Sequence, residues 1–304
     1  MRPFLSIYGH VSIDHIMSVN EFPKPNTSVD VTSRTMKMGG TATNIAVIAS
    51  SLGTPTAVCA FVGTDYPKEF EKILKQKNVI TNELVKLKDH CTPTAIIANN
   101  SKMDQKVLFV QGPQGCASSL GRDLKENAKR SEFVHFSTGD PEYYIRLMKE
   151  LKGNRKIAFD PAQEIHDKWN SEKFVRALDS ADFLFCNEFE AVSAMKYLNV
   201  KDLSEIKKEM VVCTRGDKGS TVYVNGKKME IPVIRSKKVK DPTGAGDAYR
   251  AGFYSGLYRK YSVEESLVIA SATSSFIVEE TGALSNVPSW DDVMERADRE
   301  LRLS

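Results

Sequence analysis

Strands and helices alternate so regularly after Ser131 that the sequence predicts an α/β fold, a doubly wound and mainly parallel sheet flanked by helices. Two further observations support and extend this. Residues 56–62 form a near-continuous apolar run, the pattern of a strand covered on both faces. Two strand-like regions, about 11–37 and 92–115, lie outside the βα rhythm. Strands without helices of their own need a sheet partner, so these two are expected to pair as a small separate β-sheet, a lid beside the main domain. No internal repeat or low-complexity linker divides residues 1–304, and a single domain is expected.

The elements follow in order. Residues 4–8 read as a strand, followed by Gly9 and His10. Val11, Ile13 and Ile16 then alternate with polar residues, Asp14 among them. A turn at Pro23-Lys-Pro-Asn26 precedes an extended piece near 28–33. Gly39-Gly40-Thr-Ala-Thr-Asn44 leads into an apolar helix over 45–52, which Gly53 closes as its C′ residue. After the strand at 56–62 comes a helix over 67–78, with Phe70, Ile73 and Leu74 on one side. Strands at 94–98 and 106–111 are joined by a polar hairpin loop. The regular part then runs strand 133–136, helix 141–151, strand 157–159, strand 183–186, helix 188–198 and strand 211–214. Asn225-Gly226 marks a tight hairpin between 221–224 and 229–231. The apolar-basic run 231–239 reads as a strand and 248–261 as a helix, its apolar residues recurring at spacings of three and four. Helices over 263–278 and 291–301 end the chain.

Composition narrows the function classes. Lys plus Arg total 42 and Asp plus Glu 39, a net charge of +3 that is too balanced for nucleic acid or an anionic membrane to be the main partner. The five cysteines are far apart with no Cys-x-x-Cys, which favours buried free thiols in a reducing compartment. No signal peptide opens the chain and no apolar run approaches about 18 residues, so the expected location is the cytoplasm.

Polar residues cluster where strands of such a fold end, and ligands bind at those carboxyl ends. They are Asp140, Asp160, Asn187, Thr214-Arg-Gly216 and Asp241-Pro-Thr-Gly-Ala-Gly-Asp247. In the last of these, strand, two glycines and helix leave backbone N–H groups at a helix start, an anion site. On spacing alone Asp247 is either a cap of that helix or a base, and Asp140 is either a cap or functional.

Three ordered motifs carry a family resemblance. Gly39-Gly40-Thr-Ala-Thr-Asn44, with Ala46, Gly53 and Gly63, resembles the N-terminal signature of the ribokinase (PfkB) family of carbohydrate and nucleoside kinases. Asp241 to Asp247, followed by Ala251-Gly252-Phe253, resembles its C-terminal signature, and Asn187-Glu-Phe-Glu190 its Asn-x-x-Glu motif. The resemblance implies a ribokinase-like fold that transfers the γ-phosphate of ATP to a primary hydroxyl. It makes Asp247 the base and gives Gly244, Ala245 and Gly246 the N–H donors to the transferred phosphoryl group. Glu190 and Asn187 resemble the pair that organises Mg²⁺, mostly through water. Thr214 and Gly216 resemble the nucleotide-edge loop, and Arg250 is placed either on an ATP phosphate or at the surface. Asp241 and Thr243 match positions that hold a monovalent cation, K⁺, in some relatives.

For the acceptor, Asp14, Gly39, Gly40 and Asn44 match positions that hold sugar hydroxyls. Gly9-His10 with Asp14, Ser137-Thr-Gly-Asp-Pro141, Phe159-Asp-Pro-Ala-Gln163 and the terminal Ala-Tyr-Arg250 look most like the archaeal nucleoside kinases of the family. Asp160 and Gln163 then join the acceptor site. Phe109 and Gln111, on the second lid strand, offer a base a stacking face and a hydrogen-bond partner. The alternatives are a ribokinase- or fructokinase-type sugar or sugar-phosphate kinase, and a nucleotide- or nucleoside-binding protein without turnover. A dinucleotide dehydrogenase is excluded, because the turn at Gly9 lacks Gly-x-Gly-x-x-Gly. An exposed lid edge or face makes a homodimer the expected assembly.

Overall fold

The computed structural model describes residues 2–102 and 104–302. Its main sheet has nine strands: β1 (Leu5–Tyr8), β4 (Thr56–Gly63), β5 (Ile80–Leu87), β8 (Phe133–Phe136), β9 (Lys156–Phe159), β10 (Phe183–Asn187), β11 (Met210–Thr214), β12 (Ser220–Val224) and β13 (Lys227–Ile231). The order is β13-β12-β11-β10-β9-β8-β1-β4-β5, parallel except for the terminal hairpin of β12 and β13. Both faces of this sheet are buried, which is why β4 is apolar from Ala57 to Val62. One face packs against α1 (Thr41–Ser51), α6 (Ala245–Tyr258) and α7 (Val263–Ile277), the other against α3 (Pro141–Leu151), α4 (Ser171–Ser180) and α5 (Glu188–Leu198). Helices α2 (Lys68–Gln76) and α8 (Trp290–Leu301) flank the first face.

The small sheet has the order β3-β2-β6-β7, from β2 (Ser12–Val19), β3 (Val31–Gly39), β6 (Thr94–Asn99) and β7 (Gln105–Val110). Lys37, Asp14, Ala95 and Phe109 are register partners across its four strands and so lie on one face. The neighbouring row, Met36, His15, Ile96 and Leu108, faces the other way, with Met36 and Leu108 exposed.

Several sequence expectations need correction. Residues 231–239 do not extend a strand: after Ile231 comes Pro232, which lacks a ladder donor, and the chain runs on irregularly. Helix α6 begins at Ala245, three residues before expectation, because Gly244 adopts φ +81° and turns the chain directly into it. The edge strand β5 and helix α4 are additions. β5 breaks simple alternation with adjacent Leu84 and Val85, and the apolar stripe of α4 is only Phe174, Ala177 and Leu178. Gln111 lies past the end of β7, in helical backbone conformation, so it does not continue the alternation begun at Phe109. Cys59, Cys186 and Cys213 are buried free thiols as expected, but Cys91 and Cys116 are exposed, in segments outside the strands.

Candidate active site

Two cavities meet at the start of α6. One, of about 490 Å³, lies between the small sheet and the carboxyl ends of β9, β10 and β11, with Asp247 in its wall. The other, of about 600 Å³, is lined by Thr214, Gly216, Val233, Val239, Tyr249 and the α7 serines. Thr214, Pro242 and Gly246 belong to both, so the glycine turn is the partition between them. The irregular 232–239 segment, read as a strand from its apolar residues, supplies much of the second cavity's wall.

At the turn, Ala245 N–H donates to the Pro242 carbonyl (3.1 Å), so this expected donor is engaged in the turn itself. The N–H groups of Gly244, Gly246 and Asp247 have no partner within the protein among the described residues and remain free for an anion. Asp247 is not the N-cap; that place belongs to Gly244. Its carboxylate accepts from Asn44 Nδ2 at 2.8 Å. Enclosure pushes the Asp247 carboxyl up to about 7, against the Asn44 hydrogen bond and Arg250, which favour its charge, and with Asp160 and Glu190, which oppose it.

Asn44 thus reaches the base first, while its buried Oδ1 has no partner. Asp14 faces the same cavity from the small sheet, accepting from Ser12 Oγ at 2.6 Å, and burial raises its carboxyl. Two glycines make room here. A β-carbon on Gly39 would sit 2.0 Å from Asp14 Oδ2, and one on Gly40, at φ +93°, 2.2 Å from the His10 carbonyl. Phe109 lines the cavity edge-on to His10, ring centroids 5.0 Å apart, and exposed Gln163 also lines it.

Asn187 and Glu190 form a complete capping box for α5. Asn187 Oδ1 accepts from the N–H groups of Phe189 and Glu190, and the Glu190 carboxylate accepts from Asn187 N–H and Nδ2. Capping and cavity lining coincide in these residues. Burial, then Asp160, push Glu190 up to about 7. Among the described residues no three acidic, histidine or cysteine side chains converge on one metal position. Asn187 and Glu190 are the oxygen-bearing side chains at this end of the cavity, and their mutual bonds leave lone pairs facing it for a hydrated hard cation. Asp241 accepts from the N–H groups of Thr243 (2.9 Å, on Oδ1) and Gly282 (2.8 Å, on Oδ2), bonds that shape the loop carrying Thr243.

Arg250 is not a surface residue: it is 5% exposed. Nε and Nη2 donate to the two oxygens of Asp160 at 2.8 and 3.2 Å, and Nη1 donates to the Gly246 carbonyl at 3.1 Å. Burial alone would raise Asp160, but Arg250 and His135 outweigh it and hold the carboxyl below its usual range. Asp140 proves to be a cap, accepting from Glu142 N–H at the start of α3. Gln111 donates to Glu164 Oε1 at 3.0 Å, set back from the cavity.

His10, Thr138 and Glu164 also line the cavity without having been assigned to it. Thr138 Oγ1 bridges His10 Nδ1 and Thr41 Oγ1, each at 2.8 Å. Burial lowers His10 to about 4, so its imidazole is neutral, and raises Glu164 to about 7. Glu164 follows Gln163 in the segment after β9, and Thr138 lies in the segment after β8, so both sit at strand carboxyl ends where the sequence already points to ligands.

Residues 2–290 match the family described as pfkB family carbohydrate kinase. The chain belongs to the PfkB family. It is 36% identical to a nucleoside kinase of Methanocaldococcus jannaschii over 97% of each chain. Identity to a nucleoside kinase of Methanothermobacter thermautotrophicus is 32%, over 97% of this chain and 95% of that one. The crystal structure of the M. jannaschii nucleoside kinase, an archaeal member of the ribokinase family, superposes with TM-score 0.90 at 34% identity, covering 98% of this chain and 99% of that one. The nine-stranded sheet and its small companion are thus the ribokinase fold, and the protein is a kinase acting on an alcohol group.

The electrostatics of the site make one prediction. Asp247 in the unliganded protein titrates near pH 7, far above an ordinary aspartate, and Asn44→Leu moves the midpoint higher. Carboxyl ¹³C NMR, with Asp247→Asn for assignment, measures this; a midpoint near 4 in the wild type contradicts it.

Proposed function

We propose that the protein transfers the γ-phosphate of ATP to the primary, 5′-type hydroxyl of a nucleoside. The observation that carries this reading is the junction of the two cavities at the Gly244–Asp247 turn, with a carboxylate on one side and free N–H groups at the partition. ATP occupies the larger cavity, its adenine among Val233, Val239 and the α7 serines, its phosphates reaching the turn past Thr214 and Gly216. The acceptor occupies the other, its sugar on Asp14, Asn44 and the backbone of Gly39 and Gly40.

In the transfer, Asp247 takes the proton of the acceptor hydroxyl as its oxygen bonds to the γ-phosphorus. The bond from that phosphorus to the bridging oxygen breaks and ADP leaves. The N–H groups of Gly244 and Gly246 face the charge on the phosphoryl oxygens, the preorganised stabilisation on which such transfers depend. Glu190 and Asn187 would hold a Mg²⁺ through its waters, and that ion would supply neutralisation of phosphate charge. The small sheet covers the cavity as a lid and shields the transfer from water.

A nucleoside is favoured over a sugar phosphate by charge. The acceptor cavity is lined by five carboxyl groups (Asp14, Asp160, Glu164, Glu190 and Asp247), and its one cation, Arg250, is already paired. Among the described residues, no unpaired cation lines this cavity to meet a phosphate on the acceptor. The apolar lining of Ala95, Val107 and Phe109 favours a base over a free sugar. The M. jannaschii relative, a nucleoside kinase, agrees with that choice.

Two predictions follow from this assignment. In a panel of nucleosides, ribose, fructose and fructose 6-phosphate, with ATP and Mg²⁺, a nucleoside is the preferred acceptor; Asp247→Asn still binds nucleoside and ATP but loses about 10²–10⁴ in kcat. Turnover confined to a free sugar or sugar phosphate, or near-normal rates in Asp247→Asn, contradicts it. We also read the outward row of the small sheet, with Met36 and Leu108 at 51% and 69% exposure, as a homodimer surface. Sedimentation should give a dimer that Leu108→Asp converts to monomer; a wild-type monomer refutes the surface.

A further inference from the structure

We propose that Arg250 is a positioning residue for phosphoryl transfer rather than a ligand of ATP, holding the catalytic turn in place and setting a positive charge beside Asp247. The inference rests on the reading of Asp247 as the proton acceptor. Arg250 lines the acceptor cavity and not the larger cavity given to the nucleotide. Its guanidinium is spent inside the protein, as a fork on Asp160 and a third bond to the Gly246 carbonyl.

That carbonyl belongs to the peptide whose N–H is that of Asp247. Fixing its oxygen therefore fixes both the direction of a free donor and the backbone from which the base projects. Below the fork, His135 Nε2 lies 3.2 Å from Asp160 Oδ2 and His135 Nδ1 lies 2.9 Å from Tyr254 Oη, so the anchor continues into the core. The Phe185 ring, 5.4 Å from the guanidinium carbon, covers another side.

The second effect is electrostatic. The groups acting on Asp247 are Asn44 from α1, Asp160 after β9, Glu190 on α5 and Arg250 one turn along α6; Asp14 faces the same cavity from β2. Arg250 is the one cation among them. It favours the Asp247 carboxylate, whereas Asp160 and Glu190 favour its protonation. Arg250 and Asp160 thus act on the base with opposite sign although they are bonded to each other.

Steady-state kinetics over pH for the wild type, Arg250→Met, Arg250→Lys and Asp160→Asn test this, with thermal unfolding as a folding control. The base works deprotonated, so the acidic limb of kcat/KM follows Asp247. Arg250→Met moves that limb upward by about one pH unit, which lowers the rate about tenfold at a pH below it, with KM for ATP unchanged. Asp160→Asn moves the limb the opposite way. Arg250→Lys keeps the limb near the wild-type position but lowers kcat, since an ammonium cannot reproduce the fork. If Arg250→Met does not fold, the opposite behaviour of limb and kcat in Arg250→Lys and the downward limb of Asp160→Asn still decide. A raised KM for ATP with the limb unmoved makes Arg250 a phosphate ligand, and limbs unmoved in all variants make the pair structural; either overturns the proposal. A wild type that phosphorylates no acceptor overturns the kinase reading itself, a different result.

Discussion

Five carboxyl groups share one cavity with a single guanidinium, and the rest of the site is arranged around that imbalance. Carboxylates gathered in an enclosed space repel one another and lose hydration, so each additional charge costs more than the last. The protein meets this unevenly. Asp160 is kept ionised by a bidentate arginine, while Glu164, Glu190 and Asp247 are raised to about 7, where gaining or losing a proton is easy. A group poised near neutrality suits a base that must accept a proton in one step and release it in another.

The fold makes this crowding possible by bringing the acids from separate strand ends. Asp160 follows β9, Glu190 sits in the first turn after β10, and Asp247 is in the first turn of α6. Each is anchored by its own local bonds: the Arg250 fork, the capping box and Asn44. None can relax away from the others without breaking its own contacts. Truncating one member of a buried ion pair typically costs about 3–5 kcal/mol, so the Arg250–Asp160 pair is also a stake for the fold. The small sheet closes the arrangement with Asp14 and Phe109 on one pleat row, polar at the first and apolar at the second.

The parts legible in the sequence were those set by local order. Gly-x-Gly opening a helix leaves N–H donors free at its start even though no strand precedes it here, and Asn187 with Glu190 has the spacing of a capping box. The βα units from 133 to 214, α4 apart, were readable because both sheet faces are buried there. What was not legible depends on distance in the chain. Arg250 and Asp160 are 90 residues apart, and nothing near Arg250 announces a partner. The 232–239 segment has a strand's composition and a cavity wall's structure, since Pro232 ends its pairing. Gln111 continues an apparent alternation, but a helical backbone torsion turns its amide to Glu164. The loss of Ala245 as a donor follows from a turn hydrogen bond that residue types do not specify.

The most direct test is the structure of a ternary complex with a nucleoside, Mg²⁺ and a non-hydrolysable ATP analogue. The account places the 5′ oxygen about 2.6–3.2 Å from the Asp247 carboxylate. It also places the terminal phosphoryl group on the N–H groups of Gly244 and Gly246, and the base under Phe109. A complex in which Asp247 remains bonded to Asn44 alone, with the 5′ hydroxyl turned away from the phosphoryl group, would contradict it.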